Sequence, residues 1–380
     1  MRYGIGYGGR NLGFKDKFLK ISFWYILLIM ILAGVGTMTL YSAANGNWEP
    51  WAIRHISRFG IAVLLMLGLA MVDIRYYYNC AYVFYFVTLF LLFAVEIGGH
   101  IGMGAQRWIN LGLFKIQPSE LMKIGMVLFL ARYFSTTTLQ NIRTIRGIII
   151  PSIMTLLPVA LICLQPDLGT ALMLLFTATI MLFVVGVQWW KFALVGAAGG
   201  ALLPLAWNFL HEYQQNRVLT FLNPERDPLG AGYHIIQSKI AFGSGGIFGK
   251  GFLHGTQTHL NFLPEKHTDF IFTMFSEEFG MVGSLTLVLL NILVIAFGYM
   301  FAFRINNYFA KLVVIGLNTN YFLYVFINIA MVMGVLPVVG IPLPLISYGG
   351  TVMFSIMSSF GIILCMKINQ DNNINFAAED

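Results

Sequence analysis

Charge is scarce in this chain. Of 380 residues only 10% are Asp, Glu, Lys or Arg, against 58% hydrophobic, whereas a soluble globular chain carries about 25% charged residues. One large water-solvated core is thereby excluded. Cysteine is scarce too: Cys80, Cys163 and Cys365 fall in or beside different apolar runs, with the spacing of neither a disulfide framework nor a zinc site. A basic stripe with interleaved aromatics is missing, because the residues behind the net charge of +7 are scattered through short segments. Nucleic acid is therefore excluded as a partner, and anionic membrane lipids are what such loops suit. No tandem repeat is visible, which counts against transporter folds built from inverted halves. The glycine-rich stretch Gly243 to Gly251 lacks the spacing of a nucleotide-binding loop, since Ser244 stands where its first glycine belongs and Gly251 replaces the hydroxyl residue after Lys250. It reads as a flexible turn, with an anion-binding nest of backbone amides as the alternative.

What is present is a series of apolar runs, each near the roughly 20 residues that a helix needs to cross the hydrocarbon. They fall near 21–43, 55–72, 79–98, 118–134, 147–165, 167–187, 191–210, 269–302, 311–335 and 346–366. The expected fold is an all-α integral membrane protein of about ten transmembrane helices, a single polytopic domain over 1–380. The first run follows a basic, polar stretch and has no small-residue cleavage site, so it reads as a retained span. Placing the N-terminus inside gives the cytoplasmic segments thirteen Lys and Arg against five in the short outer ones, so residues 1–20 and 367–380 are expected to be cytoplasmic tails. The one long loop, 211–268 between the seventh and eighth spans, then faces outward. Within it Tyr233 to Phe242 predicts a short amphipathic helix with Ile235, Ile236 and Ile240 on one side.

An ionised side chain at the bilayer centre costs about 3 kcal/mol, so each one needs a reason. Glu120 and Lys123 open the fourth span at a spacing that lets them pair on one helix face. Asp167 opens the sixth span and Asp269 the eighth, with Glu277 and Glu278 two turns deeper. Arg54, Arg58 and Arg107 add cations at the same outward level, and Lys239, Lys266 and His267 belong to the long loop. Each has a plain structural reading: an ion pair, helix caps, arginines snorkelling to headgroups, an exposed loop histidine. None of these readings requires the groups to converge on one leaflet around the only long loop. Cations beside a carboxylate at a helix entrance suit group transfer on a lipid-linked substrate, where the cations stabilise a leaving pyrophosphate and the carboxylate takes a proton from the attacking hydroxyl.

Five stretches, in order along nearly the whole chain, resemble the shape, elongation, division and sporulation family. They are Arg107-Trp108-Ile109-Asn110-Leu111-Gly112, Gln117-Pro118-Ser119-Glu120, Gln165-Pro166-Asp167-Leu168-Gly169-Thr170, Phe262-Leu263-Pro264-Glu265-Lys266-His267-Thr268-Asp269-Phe270-Ile271-Phe272 and Pro342-Leu343-Pro344-Leu345-Ile346-Ser347-Tyr348-Gly349-Gly350. Gly255-Thr256-Gln257 and Gly340-Ile341-Pro342-Leu343-Pro344 are similar to the elongation branch, while Thr351 stands where a serine commonly follows the paired glycines. The resemblance implies a peptidoglycan glycosyltransferase that polymerises lipid II into β-1,4 glycan strands during cell elongation, at the outer face of the bacterial cytoplasmic (inner) membrane. It implies Asp269 as the essential acid, here the general base, with undecaprenyl pyrophosphate leaving. Glu120, Lys123 and Asp167 match polar positions of the same cavity, and a class B penicillin-binding protein is the implied transpeptidase partner. Arg54, Arg107, Lys123, Lys239 and Lys266 are the candidates to meet the pyrophosphate charge, with His267 beside them. A divalent cation, magnesium or manganese, bridging the phosphates is compatible with this chemistry and not required by it. A lipid II flippase and a non-enzymatic scaffold for cell-wall synthases are the rival readings of the same spans.

Overall fold

In hydrocarbon a backbone has no water to bond, so an apolar run of this length satisfies its amides and carbonyls internally as a helix. The computed structural model describes residues 13–98, 100–102, 105–110, 115–209, 212–226, 231–256 and 266–370. In chain order these form α1 (Phe14–Leu19), α2 (Phe23–Ala43), α3 (Ala52–Met71), α4 (Ile74–Gly98), β1 (His100–Gly102), β2 (Ala105–Asn110), β3 (Lys115–Ile116), α5 (Pro118–Thr136), α6 (Leu139–Arg143), α7 (Arg146–Leu164) and α8 (Leu168–Val185). They continue with α9 (Trp189–Phe209), α10 (Glu212–Leu222), α11 (Ala231–Ser244), α12 (Ile271–Arg304), α13 (Tyr308–Val332) and α14 (Gly350–Ile368). A long helix stands in each of the ten segments where a span is expected. Among the described residues eight of these are long and apolar enough to cross a membrane; the other two are α9 and α5, which carries Glu120, Lys123 and Arg132.

Local chemistry sets the ends. Pro118 occupies the first turn of α5, where its missing N–H is no loss. Asp167 caps α8 by accepting from the Thr170 amide at 3.2 Å, and Gly186 ends the same helix in a left-handed conformation, φ 104°. Among the eight helices apolar enough to span, α13 and α14 are the innermost, with 78% of their apolar windows buried against 22% for α3. Asn318, Thr319, Asn320, Tyr321, Tyr324 and Asn328 of α13 are all buried, as expected for polar side chains that face a bundle interior and not lipid. Helix α14 packs closely on α3; a Cβ on Gly361 would come within 2.6 Å of the Met66 carbonyl, the close approach that small residues permit between membrane helices.

Helix α12 is interrupted at Gly280 (φ 65°, ψ −161°). The glycine-rich stretch after α11 packs into the break. The amides of Met281 and Val282 donate to the carbonyls of Gly246 and Ile247 at 2.9 and 3.1 Å, while the amides of Lys250 and Gly251 donate to Glu277 and Glu278 carbonyls at 3.0 Å each. The main-chain groups that a broken helix leaves unpaired thus find partners in the loop. At Gly249 (φ 82°) a Cβ would collide with the Glu278 carbonyl. The stretch is therefore a packed turn and not the flexible one expected, and the amides of Gly246, Gly249, Lys250 and Gly251 already donate to main chain instead of standing open to an anion.

Three further features depart from the expected outline. An antiparallel sheet, β1-β2-β3, fills the segment before α5. The long loop holds α10 as well as α11. Helix α11 exceeds the Tyr233–Phe242 prediction; Ser238 and Ala241 are among its buried residues, while Ile240 is exposed. Ser238 bonds Thr273 at 2.8 Å and the Val332 carbonyl at 3.1 Å, tying α11 to α12 and α13. Leu111-Gly112, Phe262 to Glu265 and the outer parts of both tails lie outside the described residues.

Candidate active site

Helix α13 gathers the candidate groups. The Tyr324 hydroxyl lies 2.7 Å from both Glu120 carboxylate oxygens and also meets the Lys123 ammonium. Lys123 reaches Glu120 Oε1 at 2.7 Å and lies 4.3 Å from the centre of the Tyr324 ring. One turn further on, Asn328 donates from Nδ2 to the carbonyls of Asp269 at 3.0 Å and Ile341 at 2.7 Å. Because a helical turn rises about 5.4 Å, the buried ion pair and the Asp269 main chain are held on adjacent turns of one helix.

The segment between α13 and α14, residues 333–349, supplies the second support. Gly340 (φ 75°) lies against the Asp269 carboxylate, such that a Cβ there would be 3.5 Å from Oδ2. Gly169, at the start of α8, faces the Val339 carbonyl in the same way, at 3.1 Å. Asp167 and Asp269 therefore stand on chain segments that pack against neighbouring residues of one connection. Arg107 on β2 joins them: Nε donates to the Gln165 carbonyl at 3.1 Å, Nη2 donates to the Pro166 carbonyl, and Nε lies 3.8 Å from Asp167 Oδ2. Both acids had a capping reading. It holds for Asp167; the N-cap of α12 is Phe270, so Asp269 stands one residue before the cap position and is half-exposed.

The residues just before Asp269 are fixed as well. Ser347 Oγ donates to the Thr268 carbonyl at 2.7 Å, and the Tyr348 amide donates to the His267 carbonyl at 2.8 Å. The His267 ring stacks on Trp51 at 4.4 Å and 9°, so it is packed and not an open loop histidine. Lys266 is buried, and burial lowers the pKa of its ammonium. Arg58 lies over the Tyr348 ring at 4.8 Å. Two candidates stay apart from these contacts: Arg54 is exposed on α3, and Lys239 is exposed on α11 with its chain over Gly334.

Glu277 and Glu278 have a different role. Glu277 accepts from Lys250 at 2.7 Å and from Thr256 at 3.1 Å, and Ser42 donates to Glu278, so both acids brace the break in α12. Among the described residues no group of three or more His, Cys, Asp and Glu side chains is placed to hold a metal ion. Tyr324, Asn328 and Ser347 are the supporting residues that sequence reasoning missed. Their one legible signal is Tyr321, Tyr324 and Asn328 recurring at i, i+3 and i+7 in an otherwise apolar span.

A half-exposed carboxylate on an immobilised main chain can take a proton from a hydroxyl, beside cations that can meet an anionic leaving group. Comparison with known proteins points the same way. The family of cell cycle proteins FtsW, RodA and SpoVE matches residues 17–372. The peptidoglycan glycosyltransferase MrdB of Escherichia coli is 42% identical over 91% of this chain and 93% of its own. Stage V sporulation protein E of Bacillus subtilis is 34% identical over 89% and 94%. Among solved structures, a chain from work titled as the structural coordination of polymerization and crosslinking by a peptidoglycan synthase complex superimposes with a TM-score of 0.79 at 31% identity, covering 92% of this chain and 98% of that one. The rod shape determining protein RodA of Thermus thermophilus does so with a TM-score of 0.70 at 27% identity, over 92% and 97%.

Proposed function

We infer that this chain, which belongs to the FtsW, RodA and SpoVE family of cell cycle proteins, is a peptidoglycan glycosyltransferase and a multi-pass protein of the bacterial inner membrane. Its substrate on this reading is lipid II, polymerised into β-1,4 glycan strands during cell elongation. Asp269 is the general base. It takes the proton from the 4-hydroxyl of an acceptor N-acetylglucosamine, whose oxygen attacks the anomeric carbon of a lipid-linked N-acetylmuramic acid. The bond to the carrier phosphate breaks, undecaprenyl pyrophosphate leaves with the bonding pair, and the anomeric centre inverts from α to β. The observation that carries this assignment is the suspension of the Asp269 main chain from Asn328, one helical turn from the Glu120–Lys123 pair. Arg107, Lys123 and Lys266 are the cations best situated to meet the pyrophosphate, and the exposed Arg54 and Lys239 stand apart from them.

Among the described residues no group of three or more His, Cys, Asp and Glu side chains is placed to hold a magnesium or manganese ion, and no step is assigned to one. The reading keeps the N-terminus and C-terminus cytoplasmic and the 211–268 segment outward, within a single domain of ten spans. It also pairs the chain with a class B penicillin-binding protein as transpeptidase, supported by its similarity to a chain from a complex that polymerises and crosslinks. Purified Asp269→Asn protein given labelled lipid II should form glycan about 10²- to 10⁴-fold more slowly, the usual contribution of a general base. Polymerisation at the wild-type rate would overturn the assignment.

A further inference from the structure

Helices α4 and α7 are joined at two levels and stand apart between them. At one level Pro158, inside α7, has no N–H to offer the carbonyl of Met154 four residues back. The buried Tyr85 hydroxyl of α4 donates to that carbonyl instead, at 2.6 Å. At the other level Gln165, which ends α7, donates from Nε2 to the Leu92 carbonyl of α4 at 2.9 Å. Between these ties lies a groove of about 520 Å³, where Phe86, Phe90 and Phe93 of α4 stand opposite Leu157, Ala160 and Leu164 of α7. On each helix the lining recurs at i, i+3 or i+4 and i+7, and no polar side chain lines it. Both ties are hydrogen bonds of normal length, so the spacing of the two helices, and with it the gap, is set at its ends and not by the side chains between.

The second end of the groove adjoins the candidate active site. Leu164 directly precedes Gln165-Pro166-Asp167, and Arg107 donates to the carbonyls of Gln165 and Pro166. Although its Nε lies 3.8 Å from Asp167, the Arg107 side chain remains 30% exposed, so a cation with donors to spare stands at the end of an apolar channel. From Phe86 to Phe93, and from Leu157 to Leu164, that channel runs about 10.5 Å, the length of about two isoprene units. A polyprenyl pyrophosphate has the same order of parts, since its branched chain begins at the phosphate oxygen. In a phospholipid a glycerol diester separates phosphate from chains. Here Leu164 and the first carbonyl that Arg107 holds belong to adjacent residues, so cation and hydrocarbon wall meet with no space for such a spacer.

We propose that the groove between α4 and α7 holds the first isoprene units of the substrate's polyprenyl carrier, with Arg107 on the pyrophosphate at its mouth. This rests on the reading of the chain as a transferase acting on a lipid-linked sugar, and not on the assignment of the base. The carrier chain is unchanged when the glycosidic bond breaks, so its contacts with the groove are the same in the ground state and the transition state. The groove therefore contributes affinity and not rate.

The test uses the full-length protein in vesicles of phosphatidylethanolamine and phosphatidylglycerol. Polyprenyl pyrophosphate carrying a diazirine on its first isoprene units should, on irradiation of the Asp269→Asn protein, label residues 86–93 and 157–164. Unlabelled polyprenyl pyrophosphate should displace the probe, and added phosphatidylglycerol should not. Label on other helices, or displacement by both lipids alike, would overturn the proposal, the latter leaving a groove for bulk lipid only. In steady-state polymerisation of labelled lipid II, Ala160→Phe, which fills the groove, should raise KM about tenfold with kcat within about twofold. Leu172→Phe, at an exposed residue of α8, should change neither. An unchanged KM in a folded Ala160→Phe protein, or a loss confined to kcat, counts equally against the groove. Should Ala160→Phe fail to fold, the labelling decides alone. The two readings fail separately. If Asp269→Asn polymerises normally while the groove is labelled, the base assignment falls and the groove stands; if that variant is inactive and the label lands elsewhere, the groove alone is wrong.

Discussion

Removing one half of the Glu120–Lys123 pair should harm the fold more than removing both halves. The two charges lie 2.7 Å apart and both side chains are buried. In Lys123→Met the Glu120 carboxylate keeps the Tyr324 hydroxyl but loses its cation, and breaking a buried pair in this way costs about 3–5 kcal/mol. At about 1.4 kcal/mol per tenfold, that is roughly a 10²- to 10⁴-fold shift toward the unfolded state. Glu120→Gln with Lys123→Met removes both charges and nearly preserves volume, so its stability should fall within about 1 kcal/mol of the original. Unfolding of the purified protein in detergent, followed by denaturant and by heat, measures the first effect, and polymerisation of labelled lipid II on the same samples measures the second. On the reading of Lys123 as a cation that meets the pyrophosphate, the double variant should be stable yet at least about tenfold slow. A Lys123→Met protein that melts like the original, or a double variant as unstable as the single one, would refute the reasoning. A double variant both stable and fully active would reduce the pair to a brace.

Two other substitutions probe the supports. Gly249→Ala places a Cβ against the Glu278 carbonyl at a residue whose φ is 82°; it should destabilise by about 1–3 kcal/mol, seen as a lowered melting temperature together with faster proteolysis of the 245–251 turn. Asn328→Leu leaves the carbonyls of Asp269 and Ile341 without their side-chain donor; a loss of about 1–3 kcal/mol in stability and a lower kcat at unchanged lipid II KM are expected from melts and steady-state rates.

The helices were legible because an apolar run near 20 residues has one stable form in a membrane, whatever its neighbours do. The acids were legible for the converse reason: Asp167, Asp269 and Glu120 interrupt those runs at a cost that marks them out. Their supports carried no such mark. Tyr324 and Asn328 are single polar residues in a long apolar span, and their partners are 204 and 59 residues away, a separation no local pattern encodes. The short strands before α5 lack the length for a period-two signal. Glu277 and Glu278 stand two turns beyond Asp269 in the sequence, yet their bonds to Lys250, Thr256 and Ser42 belong to the kink.

That kink also locates a boundary. Helix α12 has 34 residues, about 51 Å at 1.5 Å each, whereas hydrocarbon is about 30 Å thick. Measured from Arg304, the roughly 24 residues up to Gly280 already exceed that thickness. The portion beginning at Ile271, with both glutamates, is therefore not needed to span the hydrocarbon, and its carboxylates are covered by protein. Gly280 thus divides α12 into a stretch long enough by itself to cross the hydrocarbon and a shorter one that carries both glutamates.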